Sequence, residues 1–186
     1  MLHSKTVSSD TLELLKKLQG FEYLKDFRLV GGTALALQLG HRISVDLDLF
    51  AYEVSLPEQF QILLTNSGIK VENVMLSTRI QIFNLNQTKT DFVNYCYKWI
   101  SEPIKEDGIL MASPEDIAAM KLSAITNRGT VKDFVDLYFL LDLFDLQQML
   151  SFYKMKYPEA AEFLVLKSLI YFDDADGEPP PVMLRD

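Results

Sequence analysis

Apolar and polar residues alternate through the first half of this chain, whereas apolar residues recur every three or four positions in the last part. Alternation is typical of β-strands, and the longer period is typical of amphipathic helices. The alternating segments predict strands over residues 27–30, 44–50, 70–77, 79–85 and 89–95. The helical period predicts helices over residues 10–18, 33–39, 55–68, 114–127, 131–143, 145–155 and 158–171. This order indicates an α+β fold, with a small mixed sheet followed by a helical C-terminal half.

The boundary between these two parts is predicted within Pro103–Ser113. We divide the chain into residues 1–105, which form the core, and residues 106–186, a helical region that packs on the core and shares a cleft with it. The proline-rich stretch Glu178–Pro181 predicts an extended tail. We expect this tail to fray rather than to dock on the protein, because the ends of chains are commonly poorly ordered.

Two acids lie in the first turns of the helix predicted over residues 131–143. Thr130 and Asp133 fit a capping box, in which backbone N–H groups would satisfy the carboxylate of Asp133. Asp136 lies one turn further along the same face and has no such local explanation, so we expect it to be the more functional acid. The stripe that we expect to face the core consists of Phe134, Leu137, Tyr138 and Leu141.

A second pair of acids lies on the strand predicted over residues 44–50. Since side chains alternate across a strand, Asp46 and Asp48 share one face, opposite the apolar residues between them. Two carboxylates at this spacing can hold a divalent cation, which commonly takes one or two protein carboxylates and completes its shell with phosphate and water. The alternative is an edge strand whose polar face meets solvent.

A glycine pair, Gly31 and Gly32, lies between the strand over residues 27–30 and the following helix. Backbone N–H groups at a helix start, together with the helix dipole, favour a bound anion such as a phosphate. Thr33 either donates to that phosphate or caps the helix. Arg42 lies just after the helix, where its guanidinium either reaches a triphosphate or remains a solvated loop cation.

Composition limits the classes of function that fit this chain. It has 186 residues, a net charge of −8 and a single cysteine, which excludes an internal disulfide. No apolar run is long enough to span a membrane and no secretion leader is evident, so we expect a cytoplasmic protein. No basic face typical of non-specific nucleic-acid binding is evident. This charge balance favours a small triphosphate as one substrate and leaves the acceptor open.

The order of these motifs, a GGT turn, a helix and then R-x-S-x-D-x-D, resembles the signature of polymerase-β-like nucleotidyltransferases. More narrowly, it is similar to the AbiEii/AbiGii toxin family of bacterial abortive-infection and toxin–antitoxin systems. Asp91 matches the third carboxylate that such proteins carry on a neighbouring strand. Lys121 and Ala124 match a K-x-x-A helix motif. Arg128, Asp133 and Asp136 match an R-x(n)-D-x-x-D pattern.

This resemblance implies an enzyme that depends on Mg²⁺ or Mn²⁺ and transfers a nucleoside monophosphate from an NTP to an RNA (tRNA) or protein acceptor. It also implies a growth-inhibiting toxin with a cognate antitoxin. The residues with implied catalytic roles are Asp46, Asp48, Asp91 and Lys121, of which the three aspartates are metal ligands. The residues with implied nucleotide-binding roles are Gly31, Gly32, Thr33, Arg42, Arg128 and Asp136.

Two other functions fit parts of the pattern. A phosphatase of the haloacid dehalogenase type also carries a DxD motif on a strand, but it usually has a Thr or Val where Phe50 stands and lacks the preceding glycine turn and helix. A non-catalytic module of the same fold, binding a nucleotide or an antitoxin, fits the acidic balance of the chain.

Overall fold

A mixed seven-stranded sheet forms the centre of the computed structural model, which describes residues 1–173 and 175–185. The strands are β1 (Arg28–Leu29), β2 (Leu47–Tyr52), β3 (Val71–Leu76), β4 (Ile80–Leu85), β5 (Thr88–Tyr95), β6 (Ile104–Glu106) and β7 (Ile109–Met111). Their order is β3-β4-β5-β2-β1-β7-β6. The pairs β2–β5 and β1–β7 are parallel and the other neighbours are antiparallel.

Helices cover the sheet and fill the second half of the chain. They are α1 (Ser9–Gln19), α2 (Gly31–Leu39), α3 (Phe60–Asn66), α4 (Pro114–Asn127), α5 (Val131–Leu140), α6 (Leu146–Lys156) and α7 (Glu162–Ser168). Side-chain oxygens cap three of them, because Ser8, Ser113 and Asp145 accept from backbone N–H groups in the first turns of α1, α4 and α6. The predicted α+β fold, with a small mixed sheet and a helical C-terminal half, is confirmed.

The strand that carries the candidate acids alternates as its sequence predicts. Leu47, Leu49 and Ala51 of β2 are fully buried, and the side chains between them are only partly buried. The buried face of the sheet packs on a cluster of phenylalanines, in which the rings of Phe60 and Phe92 lie 4.8 Å apart in an edge-to-face contact. Asp48 therefore points away from this core.

Several predicted element boundaries differ from the structure. The segment 44–50 becomes a strand only at Leu47, because the Thr33 hydroxyl binds the Asp46 carbonyl and the Ser44 N–H donates to Thr6 instead of to a strand. The β6–β7 hairpin was not predicted, since three residues per strand are too few to show a period. Helices α3 and α7 are also shorter than predicted.

The division of the chain at residues 105 and 106 stays a prediction. That boundary falls within β6, and the β6–β7 hairpin completes the sheet by pairing with β1. Among the described residues, no helix is long and apolar enough to cross a membrane.

A buried ion pair holds the helical part on the sheet. The Lys156 ammonium at the end of α6 lies 2.6 Å from the Asp116 carboxylate in α4. Asp116 also accepts from the backbone N–H groups of Ile100 and Ser101, which lie between β5 and β6. Burial lowers the pKa of Lys156, although Asp116 opposes this shift. Two helices and a sheet loop thus meet at one carboxylate.

We expect Asp116→Ala to lower the free energy of unfolding by about 3–5 kcal/mol, because the substitution leaves the Lys156 ammonium buried without its partner. Urea unfolding measures this change. The double variant Asp116→Ala/Lys156→Met is the matched control and should recover part of the loss, since it removes both charges. A double variant no more stable than Asp116→Ala would contradict this account.

Candidate active site

Two cavities meet beside the acids of β2 and β5. The first, the aromatic cavity, has a volume of about 770 Å³ and is lined on one side by Phe50, Tyr95, Tyr97, Tyr153 and Tyr157. The second, the polar cavity, has a volume of about 670 Å³ and is lined by loop and helix residues that include Gly32, Thr33, Arg42, Ser44, Asp46, Lys89 and Lys132. Four residues line both cavities: Asp48, Asp91, Lys121 and Arg128. Two acids and two cations therefore mark the junction.

The two acids at the junction stand side by side on neighbouring strands. Asp48 of β2 is in parallel register with Asp91 of β5, and Asp46 precedes them at the edge of the polar cavity. Burial raises the pKa of Asp48 to about 6, and the negative charges of Asp91 and Asp46 add to this shift. Lys89 pairs with Asp91, with its ammonium 2.8 Å from each carboxylate oxygen. Crowded carboxylates of this kind are a favourable environment for a cation.

Ion pairs with two buried acids hold the cations of the junction. The Lys121 ammonium, on α4, lies 3.0 Å from Asp133 and also pairs with Asp136, both on α5. Asp133 further accepts from Arg128 at 2.8 Å and from the Thr130 hydroxyl. Burial alone would raise the pKa of Asp133, but the Arg128 hydrogen bond and the Lys121 charge hold it well below its ordinary value. The carboxylate is therefore ionised.

Asp136 ties the same network to the loop after α2. Its carboxylate accepts from Arg42 Nε at 2.6 Å, from Arg42 Nη2 at 2.8 Å and from His41 Nε2 at 2.8 Å. Burial opposes ionisation, yet the charges and hydrogen bonds of Lys121, His41 and Arg42 hold the pKa of Asp136 well below its ordinary value. Since Asp136 has no exposed surface, it anchors the cations from behind the cavity.

These contacts correct two sequence interpretations of α5. Asp133 does not form the predicted capping box, because its partners are side chains and Thr130 makes no side-chain cap. The predicted core stripe is wrong at Tyr138 and Leu141, which are 65% and 49% exposed, whereas Asp133 and Asp136 face inward. The three cations described above satisfy the acids and so permit the helix to bury its charged face.

Each glycine of the turn allows a side chain to lie close to the backbone at the start of α2. Gly31 has a φ of +68°, and a Cβ at this position would lie 2.7 Å from the Asp48 carboxylate. A Cβ on Gly32 would overlap Nη2 of Arg42. The Thr33 hydroxyl is occupied by the Ser44 hydroxyl at 2.8 Å and by the Asp46 carbonyl. The turn thus brings an acid and an arginine against the start of α2.

The sequence interpretation did not include the tyrosines of the aromatic cavity. Tyr95 and Tyr157 join their hydroxyls at 2.7 Å, although they come from β5 and from the end of α6. Burial raises the pKa of Tyr157 to about 12 and raises that of Tyr95 as well, so both hydroxyls stay neutral. The run of aromatic residues at 95–99 was a signal, but the partners from α6 could be found only in the fold.

The carboxylates of Asp46, Asp48 and Asp91 are of the ligand type that binds a divalent cation. Asp48 and Asp91 offer hard oxygen ligands side by side, and the pKa of Asp48 is raised first by burial and further by the charges of Asp91 and Asp46, which a cation would offset. Within residues 1–173 and 175–185, no three Asp, Glu, His or Cys side chains are already gathered closely enough to form a complete metal site. Phosphate oxygens and water would therefore have to supply the remaining ligands.

The sequence model of one protein family, described as "Nucleotidyl transferase AbiEii toxin, Type IV TA system", matches residues 13–97 and 89–179. The chain belongs to the AbiEii family. A relative from Aquifex aeolicus (strain VF5), the uncharacterized protein aq_aa25, is 35% identical over 179 residues, which cover 94% of this chain and 87% of the relative. AbiEii proteins are nucleotidyltransferase toxins of type IV toxin–antitoxin systems, which disfavours the phosphatase interpretation.

Solved structures share the AbiEii fold. JHP933 from Helicobacter pylori is similar with a TM-score of 0.58 and 18% identity, over 87% of this chain and 90% of its own. A candidate nucleotidyltransferase from H. pylori has a TM-score of 0.56 and 19% identity, over 87% and 92%. The Megavirus polyadenylate synthase has a TM-score of 0.51 and 17% identity, over 70% of this chain and 31% of that protein.

We expect Gly32→Ala to lower the free energy of unfolding by about 2–4 kcal/mol, because its Cβ displaces Arg42 from Asp136 and breaks a buried ion network. Chemical denaturation measures the loss. Gly20→Ala is the control, because Gly20 has an ordinary φ of −77° and lies outside the network. A change below about 1 kcal/mol is expected there. Equal losses in the two variants would refute the steric argument.

A second prediction concerns pH. Because the pKa of Asp48 is about 6 when folded and 3.8 ordinarily, the folded state binds the proton more tightly. Stability therefore falls as pH rises between these values, and the cost persists above pH 6. Asp48→Asn should raise the free energy of unfolding by about 2–3 kcal/mol at pH 7.5 and have little effect near pH 4. Unfolding in EDTA at both pH values tests this, and a less stable variant at pH 7.5 would contradict it.

Proposed function

We propose that this chain transfers a nucleoside monophosphate from an NTP to a hydroxyl group of an acceptor. The observation that carries this proposal is the position of Asp48 and Asp91, side by side at the junction of an aromatic cavity and a cation-lined polar cavity. A nucleotide has the matching parts, an aromatic base at one end and phosphates at the other. Family membership supports the same chemistry.

The aromatic cavity suits the base and ribose. Its volume of about 770 Å³ lies within the range of pockets that bind small ligands. Tyr97, which is 40% exposed, offers a ring to a base, and the neutral hydroxyls of Tyr95 and Tyr157 lie deeper in the same wall. With the base there, the triphosphate reaches the junction, where Lys121 and Arg128 are already oriented by Asp133.

Mg²⁺ or Mn²⁺ would be held by Asp46, Asp48 and Asp91 together with phosphate oxygens. Bound there, the metal would supply charge neutralisation on the phosphates and would orient the reacting groups. Lys89 would have to leave Asp91 for the full ligand set to form. A proton on Asp48 and the Lys89 ammonium on Asp91 would therefore compete with the metal ion for these carboxylates.

The transfer step assigns roles to the remaining residues. The acceptor oxygen forms a bond to the α-phosphorus, the bond between the α-phosphorus and the bridging oxygen breaks, and pyrophosphate leaves. Asp91 takes the proton of the attacking hydroxyl. Lys121, Arg42 and Arg128 stabilise the charge that develops on the phosphoryl oxygens. Asp136 holds Lys121 and Arg42 in place.

The glycine turn positions this machinery. Gly31 and Gly32 let Asp48 and Arg42 lie against the start of α2, where N–H groups without a side-chain cap favour an anion. The Thr33 hydroxyl donates to the Asp46 carbonyl. The role of Thr33 is therefore to orient Asp46, while the backbone of the glycine turn contacts the phosphate.

RNA, including tRNA, and protein are the two acceptor classes. The net charge of −8 disfavours a large nucleic-acid footprint, so an RNA acceptor would rely on the few cations at the mouth, Lys89, Arg128 and Lys132. As a toxin of this family, the protein would act in the cytoplasm against its own host and would be counteracted by a cognate antitoxin.

Transfer of labelled NTP to total RNA and to total protein tests the proposal. We expect Asp46→Ala/Asp48→Ala to reduce transfer by a factor of about 10³ or more, because the double substitution removes the charges that hold the metal and phosphates. Asp10→Ala/Asp26→Ala removes two exposed acids outside both cavities and should keep full activity. Transfer that survives the first double substitution would refute the assignment.

The Lys89–Asp91 ion pair favours a second candidate, a nucleotide-binding module without turnover, since it occupies the carboxylate assigned as the base. Calorimetric titration with NTP and Mg²⁺ separates the two functions. Tight binding with no transfer to either acceptor class would establish the module and exclude the enzyme.

A further inference from the structure

A proline segment, Glu178–Met183, crosses the polar cavity. Its residues Glu178, Pro179, Pro180, Pro181 and Val182 line this cavity together with the acids and the cations Lys89, Arg128 and Lys132. The extended conformation was predicted from the sequence, but the fraying was not confirmed, since both ends of the segment make defined contacts. The part of the chain expected to be uninvolved in function therefore borders the candidate active site.

One end of the proline segment is held by the loop that supplies Arg42. The Ile43 N–H donates to the Val182 carbonyl at 2.8 Å, and the Leu184 N–H donates to the His41 carbonyl at 2.8 Å. Arg42 and Met183 form an antiparallel bridge between these bonds. This anchor uses the backbone of the loop whose side chains grip Asp136.

The other end is held by a charged side-chain contact and by a backbone turn. In the turn, the Glu178 N–H donates to the Ala175 carbonyl at 3.2 Å, and the preceding Phe172 ring lies 4.8 Å from the Phe134 ring of α5. A Glu178 carboxylate oxygen accepts from the Val131 N–H at 3.0 Å, at the start of α5. Lys132 and Arg128 line the same cavity, so a negative group lies where the cavity offers positive charge. Glu178 is exposed, and an exposed hydrogen bond of this type contributes little to stability. The side-chain contact is therefore the weaker attachment.

Pro179, Pro180 and Pro181 connect the two anchors. Three consecutive prolines have no N–H groups to donate and have fixed φ angles, so they form a stiff extended rod without bonds to the sheet. If the bond from Val131 to Glu178 is lost, the rod stays joined to the turn after Phe172, and the Glu178 carboxylate and the prolines can shift between the two attached ends. The geometry is that of a strap whose side-chain contact can be released while both of its ends remain attached.

We propose that the proline segment is an autoinhibitory strap, whose Glu178 carboxylate must leave the polar cavity before a phosphate-bearing ligand can enter. This inference rests on the proposed function, because it assigns phosphates to the polar cavity. The ligand's negative charge both repels Glu178 and takes over the nearby cations. The strap thereby couples opening of the cavity to arrival of the substrate.

Binding of inorganic triphosphate in the presence of Mg²⁺, measured by calorimetry, tests the strap without requiring turnover. Glu178→Gln keeps the size of the side chain but removes its charge, and it should tighten binding by about threefold to tenfold. Glu13→Gln removes an exposed glutamate of α1 outside both cavities and should leave the affinity unchanged. Triphosphate binding that is unchanged or weaker in Glu178→Gln, or absent in both proteins, would overturn the proposal when binding of the RNA oligonucleotide described next is also not tightened.

A short RNA oligonucleotide without NTP distinguishes the source of the phosphates. If Glu178→Gln tightens triphosphate alone, the strap guards the nucleotide phosphates; if it tightens RNA alone, the strap guards the acceptor path. Either result supports the strap. If Glu178→Gln tightens binding of neither ligand, the strap is refuted, even if NTP transfer is observed. Conversely, absent transfer with tightened triphosphate binding refutes the enzyme and leaves the strap in place.

Hydrogen exchange gives an independent measurement of strap movement. The Val131 N–H donates to Glu178, and in the wild type triphosphate should accelerate exchange of this amide. Glu178→Ala removes the acceptor oxygen that glutamine would keep, so it should accelerate this exchange without ligand, while the Ile43 amide at the fixed end stays protected. Slow exchange at Val131 in the variant would show that the glutamate does not hold the strap.

Discussion

The contacts between the buried Lys121 ammonium and the two acids of α5 are the interaction on which the rest of the cleft depends. Burying charges costs several kcal/mol unless each finds a partner, so the network must be complete. Asp136 recruits Arg42 from the loop after α2, and Asp133 recruits Arg128 from the end of α4. One network thus fixes two helices and a loop relative to the sheet, and places cations beside the acids of β2 and β5.

The acids and the cations serve opposite requirements. Burial and the nearby charge of Asp91 both disfavour ionisation of Asp48, and together they raise its pKa. Across the junction, Asp133 and Asp136 stay ionised because they hold the cations that face the cleft. One side of the cleft thus carries closely spaced carboxylates, and the other carries cations held in fixed positions. Such a cleft is suited to a ligand that brings both a metal ion and phosphates.

The strap adds a further pairing of opposite charges at the mouth of the cleft. The loop that supplies Arg42 to the network also pairs with the backbone next to the proline segment, so its fixed end shares an anchor with the site. At the other end, Glu178 supplies the negative charge that the polar cavity attracts. In the free protein, the Glu178 carboxylate therefore offsets part of the positive charge of the polar cavity.

The sequence by itself determined the strand alternation of β2, the glycine turn, the strands and helices at their approximate positions, and the family motifs, because these depend on local spacing. It identified the residues of the junction without their pairings. Only the tertiary structure decided that α5 turns Asp133 and Asp136 inward, that tyrosines from β5 and α6 share one wall, and that Glu178 reaches Val131. The physical reason is that the cost of burying a charge, and the gain from pairing it, depend on partners far away in the chain.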